Sequence, residues 1–186
     1  MRPFIRGDVA IRGAAAGDAA AIAAAHVAAW RETYSGLMPA SVLQGLNPAQ
    51  SQEQWRRSLA DAHVECFVAE TTGAGVFGFA SAGPQRSEEL AYAGEIYTLY
   101  LMTAWQRRGI GTTLLGLIAR ALDRRGLRSA SLWVLKDNSR ARLFYERHGA
   151  GLAGERQAKF GPATLTELAY GWDDVRVIFE GAPKRR

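Results

Sequence analysis

The chain is poor in the residues that build cross-links and metal sites. It has one cysteine, Cys66, so an intrachain disulfide is excluded. Its three histidines, His26, His63 and His148, are scattered and show none of the spacings typical of a metal site. The sequence therefore predicts no disulfide framework and no bound metal, and Cys66, in an apolar strand, is expected to be buried and inert.

Long apolar runs are also lacking. The apolar stretch 14–30 is mostly alanine and is interrupted by Asp18 and His26, which is too weak a pattern for a membrane span. The N-terminal residues do not show the charged, apolar and small-residue order of a signal peptide. By default, these absences predict a cytoplasmic protein without a membrane partner.

Positive charge is in excess, with a net charge of +5 and a sequence pI near 9.7. Such a balance favours anionic partners such as nucleic acid, an acidic membrane surface or a phosphate-rich cofactor, although a solvated basic surface also explains it. A nucleic-acid-binding domain would cluster its basic and aromatic residues on one face, whereas here Asp and Glu are interspersed among them. The pattern argues against nucleic acid, and part of the excess lies in residues 184–186, where a disordered tail is predicted.

The length of 186 residues, with 48% hydrophobic and 22% charged residues, is typical of one globular domain. Strand-like runs alternate with helical periodicity, which predicts an α/β fold. The predicted strands are 8–12, 64–70, 76–82, 92–101, 129–135, 152–159 and 164–171, and the predicted helices are 17–30, 40–46, 48–61, 110–122 and 138–148.

One turn carries a chemical signal, the run QRRGIGT at 106–112 between a predicted strand and a predicted helix. The first turn of a helix has free N–H groups and the positive end of the helix dipole, so it attracts anions. Gly109 and Gly111 allow the backbone to approach a phosphate closely, and Arg107 and Arg108 add positive charge. The run is neither a dinucleotide fingerprint nor a Walker loop, and taken alone it is often only a tight turn.

The surrounding sequence resembles a known family. Residues 95–115 (EIYTLYLMTAWQRRGIGTTLL) closely resemble the signature of the GNAT superfamily of N-acetyltransferases, Gln/Arg-x-x-Gly-x-Gly/Ala between a strand and a helix. A second family element, a strand, an Asn-containing turn and a Phe-Tyr helix, follows at 132–150 (LWVLKDNSRARLFYERHGA). The looser resemblance runs from about 9 to 172.

The resemblance implies an α/β fold with a mixed, mostly antiparallel sheet of six to seven strands flanked by helices. This domain is expected to cover residues 9–175, after an N-terminal segment at 1–8 and before a C-terminal tail at 176–186. The acyl donor would be acetyl-CoA, acting as a cosubstrate.

The resemblance also implies how acetyl-CoA is held. Backbone groups of Leu99, Tyr100 and Leu101 would pair with the pantetheine arm as an added strand, and Asn138 would hydrogen-bond it. The pyrophosphate would lie on Arg107, Arg108, Gly109, Ile110, Gly111 and Thr112.

Two side chains are candidates for the chemistry. An alkyl ammonium has a pKa near about 10, so the amine must lose a proton before it attacks a thioester. Glu95, which begins the strand leading into the cofactor site, is the candidate general base; the alternative is a surface glutamate. Tyr145 matches the family position that protonates the departing thiolate; the alternative is a core tyrosine. A strand N–H near Leu101 would meet the oxyanion.

The acceptor stays open at the sequence level. Trp30 and Tyr34 resemble positions that line the acceptor side in many family members, but aromatic residues at this spacing also pack in cores. The branch that acetylates ribosomal-protein N-termini has a glutamate five residues before the Asn, where this chain has Trp133, which puts that activity in doubt. A small-molecule or peptide amine is the expected acceptor, edge strands would support a homodimer, and a non-catalytic acyl-CoA sensor is the rival interpretation.

Overall fold

One eight-stranded sheet forms the centre of the computed structural model, which describes residues 4–6 and 8–180. The strands are β1 (Phe4–Arg6), β2 (Val9–Gly13), β3 (Glu65–Thr71), β4 (Gly75–Pro84), β5 (Gly94–Leu101), β6 (Ala130–Leu135), β7 (Gly151–Phe160) and β8 (Ala163–Trp172). The helices are α1 (Ala19–Tyr34), α2 (Ala40–Gln44), α3 (Pro48–Ala60), α4 (Ile110–Arg124), α5 (Ser139–Arg147) and α6 (Val177–Glu180). Short 3-10 helices precede α1 at Ala16–Asp18 and follow β5 at Thr103–Trp105.

The strands follow the order β1-β2-β3-β4-β5-β6-β8-β7 and are antiparallel except at the centre, where β5 and β6 run parallel. The predicted α/β fold with a mixed, mostly antiparallel sheet flanked by helices is confirmed. The sheet gains its eighth strand from β1, three residues long, which lies in the segment predicted to precede the domain.

Helices cover both faces of the sheet, and the alternation of side chains along β3 explains how. Phe67 and Ala69 point to one face and pack with α4, whereas Cys66 and Val68 point to the other and pack with α1 and α3. The predicted periodicity of α4 is confirmed, since its apolar face is fully buried on the sheet: Leu114, Leu115, Ile118, Ala119, Ala121 and Leu122.

The first helix extends one turn beyond its predicted end at residue 30. It continues to Tyr34, which brings Trp30 and Tyr34 onto one helix with their ring centroids 5.1 Å apart. The chain then turns at Gly36, whose φ of 81° lies in the left-handed region that glycine adopts without strain. The site therefore receives Tyr34 from a helix end rather than from a loop.

The C-terminal segment begins with an ordered element. Helix α6 lies in the predicted tail, and the side chains of Val177, Ile178 and Phe179 pack against the core. The predicted disordered tail at 184–186 lies outside the described residues. Within residues 4–6 and 8–180, no helix is long and apolar enough to cross a membrane.

Candidate active site

A cleft of about 770 Å³ lies between β5 and β6. The two strands pair at only two positions, Gly94 with Ala130 and Glu95 with Ser131, and diverge beyond them. The cleft brings together ten of the predicted site residues: Tyr34, Leu99, Tyr100, Leu101, Arg107, Gly109, Gly111, Thr112, Asn138 and Tyr145. Four predicted residues lie outside its lining: Trp30, Glu95, Arg108 and Ile110.

The edge of β5 offers free backbone groups to this cleft. Met102 N donates to Phe77 O of β4, and backbone directions alternate along an antiparallel strand. The N–H and C=O groups of Leu99 and Leu101 therefore point away from β4 into the gap, while those of Tyr100 face β4. The side-chain amide of Gln106 donates to Leu101 O at 2.7 Å and ties the next turn to the strand end. An extended ligand can pair with this edge as an added strand.

The turn before α4 has the backbone of an anion cradle. Gly109 has a φ of 81° and directly precedes the helix, and Arg107 is in the left-handed region at φ 63°. A positive φ costs a non-glycine residue energy, and such strain is concentrated at binding sites. Gly111 and Thr112 line the cleft in the first turn of α4, where backbone N–H groups lack intrahelical partners. Ile110 contributes its side chain to the core.

Arginines reinforce this positive end of the cleft. Arg107, Arg140 and Arg147 line it, and within the described chain none of the three has an ion pair or hydrogen-bond partner for its side chain. Arg108 turns away and places its guanidinium 5.1 Å from the centroid of the Trp105 ring. Three guanidinium groups without a partner among the described residues, in one cleft with a helix N-terminus, fit a ligand that carries several phosphates.

Helix α5 supplies Asn138 and Tyr145 from the opposite wall. Asn138 is buried, and its side-chain oxygen caps the helix by accepting from Ala141 N at 3.1 Å, which leaves its amide N–H groups for a ligand. Tyr145 is 7% exposed, and its hydroxyl has no hydrogen-bond partner among the described residues. Burial, and secondarily the neighbouring Tyr34, raise the pKa of Tyr145. Its phenol therefore stays protonated and can donate.

His148 joins the two walls and was not among the predicted site residues. Its Nδ1 lies 2.7 Å from Phe144 O, and because a carbonyl only accepts, this nitrogen carries the proton. Its Nε2 then accepts from the Thr112 hydroxyl at 3.1 Å. The contact spans 36 residues in sequence, which explains why a residue at a helix end gave no signal on its own.

Glu95 lies where β5 and β6 still pair, at the closed end of the cleft. It is 5% exposed, and both carboxylate oxygens accept hydrogen bonds from Arg86 in the segment before β5. It is thus a buried, paired carboxylate two residues from Tyr97, which does line the cleft. Its role as a base stays a prediction.

The two predicted acceptor residues differ in position. Tyr34 lines the cleft, and its hydroxyl lies 2.9 Å from the Tyr100 hydroxyl. Trp30 packs behind it among rings that include His26, at 5.6 Å between centroids. Burial lowers the pKa of His26 to about 4, so its imidazole is neutral and accepts from Trp55 Nε1 at 3.2 Å. Trp30 therefore supports the position of Tyr34.

Cys66 lies away from the cleft, on the face covered by α1 and α3. Burial raises the pKa of its thiol to about 12, so the thiolate is not populated near neutral pH. Within the described ranges, no cluster of His, Cys, Asp and Glu side chains is arranged to hold a metal ion.

The cradle gives a stability prediction with a matched control. Gly109→Ala is expected to lower the free energy of unfolding by about 1–2 kcal/mol, because alanine resists a left-handed φ, and to weaken coenzyme A binding. Gly111→Ala is expected to change stability by no more than about 0.5 kcal/mol, since the new Cβ would lie 3.6 Å from the Phe144 ring, an ordinary contact. Urea unfolding and calorimetric titration measure both effects; equal losses of stability would contradict the assignment.

A split central sheet beside an anion-binding helix start is the architecture of an N-acetyltransferase. Residues 27–150 match the model of the acetyltransferase (GNAT) family. The uncharacterized N-acetyltransferase YuaI of Bacillus subtilis (strain 168) is 36% identical over 171 residues, which cover 91% of this chain and 96% of that protein. The probable N-acetyltransferase Rv2775 of Mycobacterium tuberculosis is 30% identical over 144 residues, covering 75% and 78%. The chain belongs to the GNAT family of acetyltransferases.

A solved structure shows the same fold. The PaiA N-acetyltransferase of Thermoplasma acidophilum, in complex with coenzyme A, superposes with a TM-score of 0.65 at 20% identity. The match covers 86% of this chain and 97% of that one.

Proposed function

We propose that the protein transfers an acetyl group from acetyl-CoA to a primary amine by direct attack, with Glu95 as general base and Tyr145 as general acid. The observation that carries the proposal is the cleft itself, in which the open edge of β5, the cradle before α4 and the buried Tyr145 phenol all line one space. Each supplies what one part of a thioester donor needs: a pairing partner for its arm, donors for its phosphates and a proton for its sulfur.

The fit to acetyl-CoA rests on residues of this chain. Leu99 directs its backbone N–H and C=O into the gap and Leu101 its N–H, while Leu101 O accepts from Gln106. Asn138 lines the same cleft, and its cap to Ala141 uses only the side-chain oxygen. Arg107, Arg140 and Arg147 have no ion pair among the described residues and supply the charge for the phosphates. No metal is needed for these contacts.

The bound thioester supplies the acetyl group, and the protein moves the protons. Glu95 takes a proton from the acceptor ammonium, directly or through a water, so that the amine nitrogen can form its bond to the acyl carbon. The Leu101 N–H, which points into the gap, donates to the acyl oxygen as negative charge develops there. The carbon–sulfur bond breaks, and the sulfur takes the hydroxyl proton of Tyr145. The proton in excess on the new amide nitrogen then leaves and restores the Tyr145 phenol, directly or through a water.

Free thiol release from acetyl-CoA tests the proposal. The purified protein is mixed with acetyl-CoA and with a panel of amino acids, polyamines and lysine peptides, and binding of acetyl-CoA is measured separately by calorimetry. We expect binding, and release that depends on an acceptor. If acetyl-CoA binds and no acceptor accelerates release, the sensor interpretation gains; if acetyl-CoA does not bind, the proposal fails.

A further inference from the structure

An arginine that the sequence did not single out pairs with Glu95, next to the point where β5 and β6 part, and lies just outside the cleft lining. Arg86, in the segment between β4 and β5, donates through its backbone N and its Nε to Glu95 Oε2, at 3.1 and 3.2 Å. Its Nη2 donates to Glu95 Oε1 at 2.5 Å. The side chain of Glu95 is 7% exposed whereas that of Arg86 is 59% exposed. Arg86 is therefore the more accessible partner of this ion pair.

The guanidinium is also held in place. Its carbon lies 3.8 Å from the centroid of the Tyr97 ring, and the Tyr97 hydroxyl donates to Pro84 O at 2.7 Å. Tyr97 lines the cleft, so Arg86 is stacked on a residue of one of its walls. The neighbouring Gln85 donates to Ser131 Oγ at 2.8 Å, which ties this segment to β6 across the point where the strands part.

Arg86 keeps one free donor group. Its Nη1 makes no hydrogen bond within residues 4–6 and 8–180. The comparable Arg156 has its guanidinium carbon 3.9 Å from the centroid of the Trp133 ring, on the other wall. Its Nε and Nη2 bind Glu167, and its Nη1 contacts Glu89. Of these two stacked arginines, only Arg86 has a terminal nitrogen without a hydrogen bond or ion pair among the described residues.

We propose that Arg86 binds a carboxylate that the acceptor carries within a few bonds of its amine, so that the acceptor is an amino acid or a close analogue. The free Nη1 of Arg86 binds the carboxylate of the acceptor. The adjacent Glu95 carboxylate binds the ammonium group of the acceptor. The Arg86–Glu95 pair is thus complementary to a zwitterion, and no ion pair of the protein has to break. This inference rests on the proposed function, in which the same cleft acetylates an amine.

Matched acceptors test the inference. Thiol release is measured with free amino acids and with the corresponding carboxamides, at saturating acetyl-CoA. Replacing the carboxylate by an amide lowers the pKa of the amine, so intrinsic reactivity favours the amide. We nevertheless expect kcat/KM to be about 10- to 100-fold higher for the preferred acid, as a charge-assisted hydrogen bond implies. An amide that matches or exceeds its acid in the wild-type protein overturns the inference.

Variants assign the preference to Arg86. Arg86→Gln is expected to bring the ratio of acid to amide close to one, and Arg86→Lys to keep part of it. Arg156→Gln is the control, because it removes an arginine stacked on the other wall of the same cleft, and it should leave the ratio as in the wild type. A ratio that survives Arg86→Gln, or that falls equally in Arg156→Gln, contradicts the inference.

A binding measurement separates this inference from the proposed function. Amino acids are titrated calorimetrically into the protein saturated with coenzyme A. Binding that is about tenfold or more weaker in Arg86→Gln supports the inference even if no thiol release occurs, in which case only the proposed function fails. Thiol release from amines without a carboxylate, together with no binding of amino acids, overturns the inference and leaves the proposed function standing.

Discussion

Replacing Tyr145 with phenylalanine is expected to lower kcat by about 100-fold or more and to leave the Kd for acetyl-CoA within a few-fold of the wild type. Tyr145 lines the cleft, and burial keeps its hydroxyl protonated. Phenylalanine retains the ring, which packs against Phe144 and Trp172 at centroid distances of 5.4 and 6.2 Å. Steady-state thiol release and calorimetric titration separate the loss of proton donation from a loss of binding.

Tyr170→Phe is the control for the loss of a buried hydroxyl. Tyr170 is 3% exposed, lies outside the cleft lining, and donates to Glu146 while accepting from Arg142. Its replacement should lower stability and leave kcat near the wild-type value. A Tyr145→Phe enzyme with wild-type kcat would remove Tyr145 from the mechanism.

The raised pKa of Tyr145 adds a pH dependence. A general acid works only while it is protonated, and an ordinary tyrosine loses its proton near about pH 10. Because burial raises the pKa of Tyr145, the wild-type rate should not fall through that range for lack of this proton. If kcat fell as the pH rose toward about 10, and this fall were absent from Tyr145→Phe, the assignment would be contradicted.

Most of the fold could be predicted because its signals are local. The apolar periodicity of α4, the alternating runs of β3 and β4 and the glycine after α5 each act within a few residues. The short β1 carries no such pattern, since three residues are too few to show alternation. The added turn of α1 has a tertiary cause, because Tyr34 is held by the Tyr100 hydroxyl 66 residues away.

The candidate site was predictable where backbone geometry defines it. The turn before α4 depends on its glycines and its arginine pair, which are visible in the sequence, and the role of the β5 edge followed from the family resemblance. Arg86 was not predictable, because its segment is polar and irregular, and its importance comes from Glu95 and Tyr97 around it. The proposed acceptor site depends on side-chain pairs between distant segments, and spacing along the chain does not encode them.

Glu95→Gln is expected to lower kcat/KM by about 100-fold at neutral pH, and the deficit should shrink as the pH rises. Below its pKa near about 10, an alkyl amine gains tenfold in free base with each pH unit. A variant without the base depends on that free base, so it recovers as solvent removes the proton. A deficit that stays constant from about pH 7 to 10 would show that Glu95 does not take this proton.

Glu167→Gln tests whether Glu95 acts by accepting a proton or only by its negative charge. The Glu167 side chain is 12% exposed and pairs with Arg156, just as Glu95 pairs with the arginine stacked on the opposite wall. Each substitution removes one buried negative charge and leaves one arginine with fewer acceptors. If both variants lost activity equally, the charge of the acceptor end would matter rather than a base. Because only Glu95 stands where β5 and β6 part, beside the start of the cleft, we expect the pH-dependent loss in Glu95→Gln alone.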